Sequence, residues 1–223
     1  MAAIRTIFVT GGNQGLGMHA VHQLASTPDV LVLMGSRKLA AAETALANFA
    51  SDIHPSSSVV PVQLGTTQKN LSGLDVLVNN AAISVGPPVD IYAVNVVGTA
   101  RIKDALYPLL KQGTAAILNV SSTLGSNTRF SLRPGFQSTE WPFYSSSKAA
   151  MNSLTVQWAL QEDQKGSGIR VVSLCPGWNS TNLNHYNERA GNPAEGCKVI
   201  VREALAKEGK TSVFIHKDGE YPW

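Results

Sequence analysis

The chain opens with an apolar, β-branched run. Ile4-Arg5-Thr6-Ile7-Phe8-Val9-Thr10 reads as a buried strand. Short apolar runs recur at 30–34, 59–64, 76–78, 115–120, 168–175 and 211–216. Between them lie stretches with helical spacing: from Gly17 to about Ala25, at 39–51, at 89–112, from Tyr144 to about Gln164, and at 194–208. Strands alternating with helices predict a doubly wound parallel α/β sheet of about seven strands. The boundaries agree, since Gly113 closes 89–112 and residues 194–208 stand between Pro193 and Gly209. Two intervals break the rhythm. Residues 65–73 are nearly all that separates strands three and four, and a parallel crossover normally needs a dozen residues or more. A shortened crossover is therefore expected. Residues 123–143 mix Ser, Thr, Arg, Pro and aromatic residues in no periodic order and read as a loop beside a site.

Composition narrows the function classes. A chain of 223 residues with 43% hydrophobic content can bury one substantial core. No linker, repeat or low-complexity tract divides it, so residues 1–223 read as one domain, with a cofactor half to about 122 and a catalytic half after it. The net charge of +3 comes without any run of Lys and Arg, which speaks against nucleic acid or a membrane surface as partner. No apolar stretch is long enough for a membrane span, and the first residues lack a signal-peptide pattern. Cys175 and Cys197 form no redox or metal motif, and His19 with His22 lacks a third ligand. A cytoplasmic protein without metal is the expectation.

The chemistry-bearing residues sit at strand ends. Thr10-Gly11-Gly12-Asn13-Gln14-Gly15-Leu16-Gly17 follows the first strand and opens the first helix. Glycines permit a sharp turn and close approach of a phosphate, and the helix start supplies free N–H groups. Met18 and His19 follow Gly17, so this is no P-loop. The second strand ends Gly35-Ser36-Arg37-Lys38, with no acidic residue to take a ribose 2′-hydroxyl. Ser36 and the planar fork of Arg37 suit a 2′-phosphate, which points to NADP(H). Asn79 and Asn80 close the fourth strand, and Ser121 and Ser122 close the fifth. Tyr144 and Lys148, four apart, share one helix face. An ammonium beside a phenol favours the phenolate, so Lys148 is expected to lower the Tyr144 pKa.

Taken together the set resembles the classical short-chain dehydrogenase/reductase family. The pieces are Thr10-Gly11-x-x-x-Gly15-Leu16-Gly17, Asn79-Asn80-Ala81, Asn95, Ser122, Tyr144-x-x-x-Lys148 and Pro176-Gly177-x-x-x-Thr181, in the family's order. Thr10-Gly11-Gly12-Asn13, Asn192-Pro193-Ala194-Glu195-Gly196 and the ending Asp218-Gly219-Glu220-Tyr221-Pro222-Trp223 resemble its carbonyl-reductase-like branch.

The resemblance implies an NADPH-dependent reductase of ketones, aldehydes or quinones, with Tyr144 as proton donor. Ser122 would hydrogen-bond the carbonyl oxygen, and Lys148 would hold the nicotinamide ribose. Asn95 would hold a water that links Lys148 to solvent. Gly11, Asn13, Gly15, Leu16 and Gly17 would wrap the pyrophosphate, Asn80 would line the adenine-ribose side, and Thr181 would meet the carboxamide. Family members often pair through the helices at 89–112 and 144–165, as homodimers or homotetramers. The long segment before Tyr144 leaves that open here. Gly65 replaces an Asp common in the family, and the motif reads Asn-Asn-Ala-Ala at 79–82. Arg129, Phe130, Phe136, Trp141 and Trp178 are candidates for a substrate wall. The alternatives are a non-catalytic NADP(H)-binding sensor or scaffold, and the same fold recruited to a non-redox step.

Overall fold

Strand β1 (Arg5–Thr10) runs inside one sheet, between β2 (Val30–Ser36) and β4 (Val76–Asn79). The computed structural model describes residues 4–65, 73–132 and 140–223. Outside β2 lies β3 (Ser58–Gln63), and beyond β4 follow β5 (Ala116–Val120), β6 (Arg170–Cys175), β7 (Val213–His216) and β8 (Gly219–Glu220). The order is β3-β2-β1-β4-β5-β6-β7-β8, and all pairs are parallel except β7 with β8.

Both sheet faces are covered, which is why the strands read as continuous apolar runs. On one face α1 (Gly15–Ala25) and α8 (Lys198–Leu205) pack with Val9, Val32, Val78, Leu118 and Leu174. On the other, Trp158 and Ala159 of α6 (Pro142–Lys165) pack with Phe8, Leu77, Ile117 and Val171. Each fully buried side chain of this kind contributes roughly 1.5–3 kcal/mol. Near the carboxyl edge the α6 face turns polar. Asn79 donates to Asn119, Asn119 to Thr155, and Ser173 to Asn152, through contacts of 2.8–2.9 Å inside the protein.

Several elements differ from the sequence reading. Among the described residues there are eight strands, because Lys217-Asp218 make a two-residue turn into β8. The stretch at 89–112 is not one helix. It comprises α3 (Pro88–Tyr92), a wide π-type turn at Ala93–Gly98, α4 (Thr99–Leu106) and a tight turn at Tyr107–Leu109. Thr99 Oγ1 donates to the Asn95 carbonyl within the wide turn, and Pro108, lacking an N–H, sits in the closing one. The stretch at 123–143 contains a tight turn at Thr123–Gly125 and α5 (Asn127–Leu132), and α6 starts at Pro142 rather than Tyr144. Residues 66–72, most of the expected short crossover, lie outside the described residues. Helices α2 (Leu39–Ala47) and α7 (Pro193–Gly196) complete the chain. Among the described residues no helix is long and apolar enough to cross a membrane.

Candidate active site

The carboxyl ends of β1, β4, β5 and β6 converge on one edge, where ligands bind in open α/β sheets. The glycine turn is braced from β4. Thr10 Oγ1 accepts from the N–H groups of Asn80 and Ala81 at 2.9 and 3.0 Å, and Asn80 Nδ2 donates to the carbonyls of Thr10 and Gly11 at 2.9 and 3.3 Å. Gly11 and Gly15 have φ of +64° and +52°, which favours glycine at both. A Cβ on Gly17 would stand 2.3 Å from the Gly11 carbonyl oxygen. The α1 start has no side-chain cap and no acid in its first turn, so its N–H groups suit an anion such as a pyrophosphate. Gly17→Ala should therefore displace Gly11 and Asn80 and weaken dinucleotide binding by about tenfold or more. Fluorescence titration of the folded variant checks this, and unchanged affinity would contradict it.

Asn80 thus acts as a brace for the turn. Ser36 is buried, and its hydroxyl donates to the Lys38 carbonyl at 2.9 Å, inside its own turn. Arg37 stands exposed beside it. Thr181 Oγ1 accepts from the Leu183 N–H, and Thr181 and Asn182 lie against Gly15. Ser84 Oγ donates to the Leu183 carbonyl at 2.7 Å, joining the segment after β4 to the segment after β6.

Ser122 and Tyr144 meet although 22 residues separate them. Ser122 leaves the end of β5, Tyr144 lies in the first turn of α6, and the Ser122 hydroxyl comes close enough to the phenol to act on it. Ser121, the competing serine, is buried and donates to the Lys148 carbonyl at 3.4 Å. Ser122 Oγ also accepts from the Leu124 N–H at 3.2 Å, which caps the turn at Thr123–Gly125. A Cβ on Gly125 would fall 2.7 Å from the Lys148 carbonyl carbon, so this turn rests directly on α6. Lys148 is 3% exposed, its Nζ donates to the Val120 carbonyl at 2.7 Å, and it lies 5.6 Å from the Tyr144 ring centre.

The expected lowering of the Tyr144 pKa is not what this geometry gives. Burial pushes the phenol well above its ordinary value, nearby Cys175 adds to that, and the Ser122 contact only partly opposes it. The residue as a whole is half-buried, but its hydroxyl is desolvated. The Lys148 ammonium is itself desolvated and spent on a backbone carbonyl, and its pKa falls to about 8. Spacing of four along a helix could not reveal either burial.

Asn95, also buried, accepts from the Ile83 N–H and donates to the Ile83 carbonyl, both at 2.9 Å. It also donates to Ser147 Oγ at 3.0 Å, and Ser147 donates to the Tyr144 carbonyl. Its side chain thereby ties the segment after β4 to the first turn of α6.

The sequence reading missed Cys175. Its sulfur accepts from the Thr123 N–H at 3.2 Å and sits beside Tyr144 and Lys148, with burial raising its pKa. Its position directly before Pro176-Gly177, at the end of the strand that neighbours the one leading into Ser121 and Ser122, was the available signal. Of the wall candidates, Arg129 is bound to Tyr221. Trp178, 59% exposed, lines a cleft of about 530 Å3 with Pro176, Asn179, Glu195 and Lys217. Asn95, Ser122, Tyr144 and Lys148 do not line that cleft. Phe136 lies outside the described residues. His22 pairs with Asp52 and stacks on Phe49, and no cluster of metal-ligating side chains occurs among the described residues.

Comparison with known proteins agrees with this architecture. The short chain dehydrogenase family pattern matches residues 5–191, and the chain belongs to that family. The short-chain dehydrogenase anuI of Penicillium roqueforti is 29% identical, over 92% of this chain and 90% of its own. An uncharacterised oxidoreductase of Schizosaccharomyces pombe is also 29% identical, over 93% and 87%. Among solved structures, the NADPH-bound carbonyl reductase from chicken fatty liver superposes with a TM-score of 0.77 at 25% identity, covering both chains in full. The protein is thus an oxidoreductase of the short-chain dehydrogenase type.

Proposed function

We propose that this protein is an NADPH-dependent carbonyl reductase in which Tyr144 donates the proton and Ser122 helps to hold the carbonyl oxygen. The observation that carries the reading is the Ser122–Tyr144 contact, made across two elements above the buried Lys148. Two hydroxyls on one point can both address an oxygen that becomes negative. Such donors stabilise the transition state more than the ground state. The carbonyl reductase found as a structural relative supports the same class.

Gly11, Asn13, Gly15, Leu16 and Gly17 would hold the pyrophosphate against the uncapped start of α1. Arg37 and Ser36 would serve the adenosine 2′ end, with Asn80 bracing the turn and Thr181 on the nicotinamide side. When bound there, the nicotinamide would supply the hydride for a carbonyl carbon. Tyr144 gives its proton to the carbonyl oxygen as charge develops there, and Ser122 keeps a hydrogen bond on it. Lys148 steadies the phenolate left behind, and Asn95 fixes the α6 start that carries Tyr144.

The test is oxidation of NADPH against a panel of ketones, aldehydes and quinones. Turnover on at least one carbonyl, with matching alcohol formed, is expected. Tight NADPH binding with no turnover across the panel would favour a binding protein instead. Arg37→Ala separates the cofactors. A charge-assisted contact contributes about 1.5–3 kcal/mol, so the KM for NADPH should rise about tenfold or more. The KM for NADH should stay within about twofold, and equal effects would remove Arg37 from the 2′-phosphate.

A further inference from the structure

The last residues of the chain are built into the catalytic side of the molecule. The turn Lys217-Asp218 reverses the chain into β8, and the Tyr221 N–H donates to the Phe214 carbonyl at 2.8 Å. Phe214, 1% exposed, then carries two rings: Tyr221 edge-on at 5.6 Å and Trp223 stacked at 5.6 Å with planes 22° apart. That aromatic anchor places polar atoms against the segment that follows Ser122. Ser126, fully buried, donates its hydroxyl to the Pro222 carbonyl at 2.7 Å, and the Thr128 N–H donates to the Trp223 carbonyl at 2.8 Å. Arg129 donates to the Tyr221 hydroxyl and lies 5.5 Å from its ring centre. Three consecutive tail residues thus hold three of the four residues from Ser126 to Arg129.

From Ser126 it is four residues back to Ser122. The intervening turn is held on its inner side by Cys175 Sγ on the Thr123 N–H and by Asn152 Nδ2 on the Gly125 carbonyl at 3.1 Å. On its outer side the tail supplies the fixings just described. We propose that residues 221–223 are a positioning clamp that fixes the turn carrying Ser122 and the first part of the substrate wall, α5. Its catalytic consequence rests on the carbonyl-reductase reading, but the clamp itself does not. A displacement of about 1 Å in a catalytic group can cost about a hundredfold in rate. A loosened outer anchor, with the inner one intact, should shift Ser122 by less.

The experiment compares wild type with Trp223→Ala, Trp223→Phe and Ser126→Ala by amide hydrogen exchange and by steady-state kinetics. In Trp223→Ala the Thr128 amide should lose protection, and the Thr123 and Leu124 amides, which face Cys175 and Ser122, should lose about tenfold. Amides of β5 should stay as in wild type. The kcat/KM for a carbonyl should fall about tenfold, the Kd for NADPH should move by less than about twofold, and Trp223→Phe should restore both readouts. If Trp223→Ala does not fold, Ser126→Ala removes one tail contact from within and decides the matter alone. Unchanged exchange at Thr123 and Leu124 overturns the clamp, as does lost protection without a fall in kcat/KM in an active enzyme. A wild type that turns over no carbonyl, while the tail variants still lose protection at Thr123 and Leu124, leaves the clamp standing and removes the reductase reading.

Discussion

Tyr144→Phe should lower kcat for carbonyl reduction about a thousandfold, the middle of the range for a general acid. The substitution removes one oxygen and leaves the ring, so Lys148 keeps its bond to the Val120 carbonyl and α6 keeps its start. NADPH affinity should therefore stay within about threefold. Ser122 would remain as the one hydroxyl of the pair, and it carries no acid of useful strength. Steady-state rates and fluorescence titration on the same preparation separate the two quantities. A Phe variant that turns over as fast as wild type would end the assignment of Tyr144 as donor.

Lys148→Met should cost about a hundredfold in kcat, because the phenolate formed in the reaction loses its buried cation. The same residue makes a linked prediction about pH. Its folded pKa of about 8 lies below the ordinary 10.5, so between those values the unfolded chain holds a proton that the folded chain has released. Stability therefore rises with pH across that window, since the unfolded state binds more protons. Below about 8 both states are charged and the full cost of burying the ammonium is present. Activity runs the other way, because reduction needs the ammonium and should decline as pH passes about 8. Over one interval wild type should lose rate and gain stability relative to Lys148→Met, in which both lysine-linked trends are absent. Tyr144, Cys175 and Cys197, whose pKa values burial raises, oppose the gain as pH passes their ordinary 10.0 and 9.0, so the difference between wild-type and Lys148→Met melts between about pH 8 and 9.5 isolates the lysine. A pH-independent stability difference between the two proteins would show that Lys148 is not desolvated.

Much of this site was legible before any coordinates. Short apolar runs placed the strands, because a sheet covered on both faces needs no polar alternation. The glycines at 11, 15 and 17 and the Tyr144/Lys148 pair were readable because their chemistry is local. What escaped was set by contacts distant in sequence. The Lys148 ammonium is buried and held by the Val120 carbonyl, the phenol is shifted by its burial, and neither follows from a spacing of four. The clamp joins Ser126–Arg129 to Tyr221–Trp223, two stretches without periodicity, so neither announces the other. The eighth strand, Gly219–Glu220, is too short for a period of two to mark it. The length of α3 to α4 was over-read, because apolar spacing persists through the wide turn that holds Asn95.

The most direct measurement of the central claim follows deuterium from NADPH labelled at the nicotinamide C4 into the product of a carbonyl substrate. One deuterium per alcohol, on the carbinol carbon and from a single face of the cofactor, is expected. Alcohol formed without deuterium from either labelled face, or bound NADPH that never yields labelled product on the whole panel, would contradict the assignment of Ser122, Tyr144 and Lys148 to carbonyl reduction.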